Sequence, residues 1–204
     1  MRRRRLAAML AAAGGLVILG ALARGESAIA CPEGTSRAEA EPPAGREQWC
    51  ERLDRSGTRT RHGPYRASYP DGRPKIQGQF VEGRKAGRWT FWYGNGILFG
   101  SGVKREEGEF QNGKEHGLWS RWYDFNVKWE EGEYREGLRD GTWTSWYPVG
   151  AKAREGDYRG DREVGVWRSW SPRGEECSPE DHGAPEHAIV DPEGLAAVDR
   201  EGVS

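Results

Sequence analysis

Short runs of alternating aromatic and polar residues, each closed by Gly, Pro or Asn, fill residues 63–177. Trp143-Thr144-Ser145-Trp146-Tyr147 is one run, ended by Pro148-Val149-Gly150, and Ala151 to Tyr158 is the next, ended by Arg159-Gly160-Asp161. β-rich runs of this length between turn residues predict two strands joined as a hairpin. The pattern then recurs. A Gly-x-aromatic unit begins at Gly63, Gly87, Gly117, Gly141 and Gly165, at spacings of 24, 30, 24 and 24 residues. Tyr69, Tyr93, Tyr123 and Tyr147 follow in step, and a second phrase recurs as Gly78-Gln79-Phe80, Gly108-Glu109-Phe110, Gly132-Glu133-Tyr134 and Gly156-Asp157-Tyr158. Such self-similarity marks a stacked array whose units contact mainly their neighbours. The expected class is all-β, built of consecutive β-hairpins, with the repeat glycines supplying positive φ at the turns.

Side chains in a strand alternate between faces. Repeated in register, the pattern stacks Trp89, Trp119, Trp143 and Trp167 as a ladder on one face, while Trp92, Trp122, Trp146 and Trp170 line the other unless a bulge re-aims them. Composition gives these rings their weight. Only 35% of the 204 residues are hydrophobic and 31% are charged, so aliphatic side chains cannot fill a thick core. Apolar burial must come from ten Trp, seven Tyr and five Phe, each able to bury roughly 150–250 Å². The first Trp set is therefore expected to be structural and the second to be the candidate binding face. Two irregularities stand out. Six extra residues around Gly100 to Glu106 should lengthen one hairpin arm or its turn, and Asn126 replaces the turn glycine seen at Gly96 and Gly150.

Residues 1–30 carry the pattern of a signal peptide, with Arg2 to Arg5 before an apolar stretch from Leu6 to Leu22 and a small-x-small site at Ala28-Ile29-Ala30. An uncleaved anchor and a lipoprotein modified at Cys31 are the competing outcomes. The protein is expected to be exported, to the periplasm, the cell surface or the extracellular medium. Export favours disulfides. Cys31 and Cys50 lie 19 residues apart around a Pro- and Gly-bearing loop, and their bridge would contribute about 3 kcal/mol on a chain-entropy model. Cys50 with Cys177 would require a closed sheet, because about nine strands at about 4.8 Å separate them. Cys31–Cys50 is the expected disulfide, leaving Cys177 free or intermolecular.

The run Gly132-Glu133-Tyr134-Arg135-Glu136-Gly137-Leu138-Arg139-Asp140-Gly141-Thr142-Trp143 resembles the MORN repeat, whose pattern is GEYxxGxxxGxW. With Trp146-Tyr147-Pro148-Val149-Gly150 following, it is most similar to the variant repeats of bacterial exported and antitoxin-type proteins. The likeness covers residues 63–177. It implies a single-layer antiparallel sheet of consecutive hairpins. Pro64-Tyr65 in the first unit, Ser171 in the last and the shifted Gly160 depart from the pattern, mostly at the ends, where capping repeats are atypical. Four segments result: the leader 1–30, a disulfide-tied and loop-rich lead-in at 31–62, the array at 63–177, and an acidic tail at 178–204. That tail lacks aromatics and is expected to be disordered, with a brief helical turn near Leu195 to Val198.

The chemistry-bearing residues argue against catalysis. His62 and His116 each precede a repeat glycine, as solvated turn positions, and His182 and His187 sit in the polar tail without metal-ligand spacing. No catalytic, metal or cofactor site is expected. Acidic and basic residues intermingle, as on a solvated face. Removing the leader leaves 26 basic and 31 acidic residues, net −5, while residues 31–177 carry about +1. That balance is no footprint for nucleic acid and speaks weakly for anionic lipid, so membrane contact is expected only through the leader or lipid at Cys31. Two functions remain: an exported, non-enzymatic scaffold for a protein partner at the cell envelope, or a module that binds carbohydrate, cell wall or a membrane surface through its aromatic ladder.

Overall fold

The computed structural model describes residues 28–41, 45–94, 102–177 and 179–181. Residues 1–27 of the expected signal segment, the tail beyond residue 181 and its expected helical turn lie outside them. The described chain is all-β: one open antiparallel sheet whose strands follow in sequence order from β1 to β12. The strands are β1 (Ser36–Ala40), β2 (Arg46–Leu53), β3 (Arg59–Ser68), β4 (Pro74–Val81), β5 (Arg84–Trp92), β6 (Lys104–Gln111), β7 (Lys114–Trp122), β8 (Lys128–Arg135), β9 (Leu138–Trp146), β10 (Lys152–Arg159), β11 (Arg162–Ser169) and β12 (Glu180–Asp181). No described helix is long and apolar enough to cross a membrane.

The tight turns follow from local chemistry. Glu82-Gly83, Asn112-Gly113 and Glu136-Gly137 join β4–β5, β6–β7 and β8–β9 with positive φ at both residues, the geometry whose twist matches the flanking strands. Gly160-Asp161 does the same between β10 and β11 in reversed order, which explains the shifted glycine. At the opposite rim, four-residue turns close through Gly72, Asn126, Gly150 and Gly174, and Asn126 adopts φ 65° as its side chain permits. The six extra residues lengthen a turn. The amide of Tyr93 donates to the carbonyl of Val103, where the equivalent Tyr123 amide reaches only to Val127.

Two expectations need correction. The glycines that open each unit do have positive φ, but they lie inside strands. Gly117 (φ 67°) belongs to a bulge in β7, where Gly117, Leu118 and Trp119 all stand opposite Gly108. The lead-in is also not loop-rich. Residues 36–40 and 46–53 form β1 and β2, and β3 begins at Arg59, so the sheet starts well before residue 63. Arg46-Glu47-Gln48-Trp49-Cys50-Glu51 lacks the Gly-x-Trp signature, yet β2 pairs along its length with β1 and β3.

The disulfide joins Cys31 to Cys50, with Cα atoms 5.6 Å apart, and ties the chain before β1 onto β2. Cys177 is a free, exposed thiol. At the far end Glu180 and Asp181 pair with Trp167 and Val166, so a short piece of the acidic tail covers part of the β11 edge.

Candidate functional site

One face of the sheet holds its core. Trp89, Trp119, Trp143 and Trp167 are only 1–4% exposed although the sheet is a single layer. Each indole lies flat across the neighbouring strand at a glycine. A Cβ on Gly78, Gly108, Gly132 or Gly156 would meet the ring at 2.2 Å. The bulge brings Trp119 back over β6, where its Nε1–H donates to the carbonyl of Glu109 at 3.1 Å. Trp89 and Trp143 bond the same way to the carbonyls of Gln79 and Glu133.

Phe80, Phe110, Tyr134 and Tyr158 stand edge-on between the indoles. Centroids are 5.0–5.1 Å from the Trp of the same hairpin, with ring planes 78–90° apart. Such edge-to-face pairs contribute about 0.5–1.5 kcal/mol each beyond the area they bury. Cations close the ladder from above. Lys85 sits 4.8 Å from Trp89 and 4.6 Å from Phe110, Arg139 sits 4.7 Å from Trp143, and Arg154 sits 4.2 Å from Trp167. Burial pushes the Lys85 ammonium below its ordinary value, against the pull of Glu115 and Glu106. Burial likewise opposes the charge on Arg121, but the Tyr134 hydroxyl and Glu130 outweigh it and raise its pKa.

The opposite face carries Trp92, Trp122, Trp146 and Trp170, all half-buried. Beside them runs a polar motif in register with the repeat. Thr90 Oγ1 donates to Glu107 Oε2 at 2.9 Å, and Lys104 Nζ donates to the same oxygen at 2.7 Å. Ser120, Glu131 and Lys128 repeat the arrangement, as do Thr144, Glu155 and Lys152. Burial works against ionisation of Glu107 and Glu131, yet the lysine and hydroxyl bonds win and hold both carboxyls below the usual range. For Glu155 the Lys152 bond is the leading cause of the same shift. Each lysine also lies over the indole of the following strand: Lys104 at 5.9 Å from Trp122, Lys128 at 5.4 Å from Trp146 and Lys152 at 5.1 Å from Trp170. These charges were expected to be merely solvated. Their signal was present as Lys-x-x-Glu at residues 104, 128 and 152, a spacing that tracks the repeat.

A groove of about 590 Å³ opens at the start of this face, lined by Gln77, Gln79, Arg88, Trp92, Lys104 and Glu107 among others. It continues into a depression of about 300 Å³ beyond Arg88 and Glu107, lined by Glu109, Leu118 and Ser120. Away from it, large apolar side chains stand in solvent. Trp129 is 44% exposed and Val149 74% exposed at the long-turn rim, where Tyr123 stacks on Phe125 at 5.2 Å. Leu118, within the depression, and Val166 are exposed as well. The sequence pattern did not flag Trp129 because it lies outside both Trp registers. His62 and His116 are not solvated turn residues: they lie half-buried within β3 and β7, His62 near the Glu82 carboxylate. Among the described residues, no cluster of His, Cys, Asp and Glu is arranged to hold a metal. No family model matches the chain, and no curated protein matches it in sequence.

Proposed function

We propose that this protein is an exported, non-enzymatic scaffold with MORN-like repeats, which binds a protein partner at the cell envelope. The face of Trp122, Trp146 and Trp170 and the adjoining rim would be its recognition surface. The carrying observation is the row of half-buried indoles in register, each pinned by its own lysine and carboxylate and bordered by exposed Leu118, Trp129 and Val149. Fixed aromatic anchors with polar borders are the usual composition of a protein interface core and rim. The disulfide is compatible with an oxidising compartment.

The test is capture from envelope extract by the secreted protein, compared with Trp146→Glu and Trp129→Glu variants. A defined partner should be retained by the native chain and lost by both variants while their melting temperatures stay within a few degrees. Retention by both variants would end the proposal. Carbohydrate binding is the second reading, favoured by the distinct geometry around Trp92.

A further inference from the structure

The polar motif repeats three times and is missing at the groove, as it is at the last unit, where Glu176 stands opposite Trp170. In the register of the hairpins, Pro74 stands where Lys104, Lys128 and Lys152 stand in later units, and Gln77 stands where Glu107, Glu131 and Glu155 stand. Gln79 likewise replaces an acid found at Glu109, Glu133 and Asp157. The consequences coincide in space. Without a lysine at position 74, no cation lies over Trp92 among the described residues, whereas the other three indoles of the row are each capped. The Gln77 and Gln79 side-chain amides have no hydrogen-bond partner among the described residues, and both line the groove with Trp92. Arg88 lies alongside, its side chain 69% exposed and 4.0 Å from Glu107.

We infer that this groove is a binding site for an oligosaccharide carrying carboxylate groups, with Trp92 as its stacking floor. A half-buried indole with no described cation over it offers a flat apolar surface that suits the C–H face of a sugar ring, as its quadrupole suits polarised hydrogens. Two free carboxamides each present donors and an acceptor, a match for neighbouring hydroxyls. Replacement of two acids by amides leaves Glu107, bonded to Lys104 and Thr90, as the carboxylate lining the groove, and Arg88 supplies a planar fork for a ligand carboxylate. The volume of about 590 Å³ falls within the roughly 300–1,000 Å³ of small-ligand sites, while Glu107 and Glu109 line the depression beyond Arg88, so the carboxylate end of the ligand belongs on the Trp92 side of Arg88. This inference rests on the Trp92 face being a recognition surface. It is independent of the protein partner read at Trp122, Trp146 and Trp170.

The experiment is calorimetric titration of the secreted full chain with three probes: trigalacturonate, an N-acetylmuramic-acid-containing disaccharide and neutral cellotriose. A proline-rich peptide serves as a competitor. At least one acidic sugar should bind saturably and more tightly than cellotriose. Trp92→Ala should weaken it by roughly tenfold or more and the capped Trp146→Ala by less than about twofold. Arg88→Gln should abolish the preference for acid over neutral sugar. Gln77→Glu, a surface change that leaves the aromatic ladder untouched, should weaken the acidic sugar even if Trp92→Ala fails to fold. Absence of saturable binding by both acidic probes, equal losses from Trp92→Ala and Trp146→Ala, or selective binding of the peptide would overturn the inference. None of these outcomes bears on capture through Trp129 and Trp146, so the two proposals fail separately.

Discussion

Gly132 shows how one missing methyl group admits a core. Its backbone accepts the Trp143 indole so closely that an added Cβ would lie 2.2 Å from the ring. The nearest atoms belong to a packed ring in the core, which has nowhere to retreat. Gly132→Ala should therefore destabilise the protein by about 1–3 kcal/mol through overpacking, measured by chemical denaturation. A loss below about 0.5 kcal/mol would show that the ring is free to move. The carboxylates of the opposite face make a second residue-scale claim. Glu107, Glu131 and Glu155 titrate below the ordinary Glu value of about 4.5 in the folded chain. Their stabilisation is thus complete above that value and is lost as pH falls through their lower folded values. The melting temperature should drop on acidification below about pH 4.5, and the triple Glu→Gln variant should show a flatter acid limb. An unchanged limb would mean that the lysine and hydroxyl bonds do not hold the carboxylates in solution.

At the scale of the element, the hairpins are joined by one bond that recurs at fixed spacing. The Tyr69, Tyr93, Tyr123 and Tyr147 hydroxyls donate to the carbonyls of Trp92, Trp122, Trp146 and Trp170, each one unit further on, at 2.7–3.0 Å. Ser171 occupies the same place in the last unit, where no further hairpin among the described residues offers a carbonyl. Tyr123→Phe should cost about 0.5–1.5 kcal/mol and lower the cooperativity of unfolding, read as a broader transition, because it cuts a link between units. A transition as sharp as that of the native chain would place the coupling elsewhere.

The hairpins, the two Trp faces, Asn126 in a left-handed turn and the Cys31–Cys50 pairing were all legible in the sequence, since each depends on local spacing or on residue type. The bulge was not. Alternation alone cannot say that Gly117 sits inside β7, since that depends on how many residues oppose Gly108 across the hairpin. The early strands were missed because β2 pairs through its backbone and carries no Gly-x-Trp phrase. At the candidate site the Trp92 row was expected, but the lysine caps were not, since a cation over a ring depends on the strand beside it.

For the whole molecule, an open sheet of one layer has two wet faces, and it orders itself by laying aromatic rings on glycine and roofing them with cations. Arg139 and Arg154 close the ladder over Trp143 and Trp167, and the long charged side chains thereby stand in for a second layer. The two faces differ accordingly: one row of indoles is buried and holds the array together, and the other stays half-buried. The most direct measurement is equilibrium unfolding of Trp143→Ala beside Trp146→Ala, neighbours in β9 on opposite faces. Trp143→Ala should lose about 3–5 kcal/mol and Trp146→Ala less than half as much. Equal losses, or an unfolding midpoint for Trp143→Ala that matches the native chain, would contradict the account.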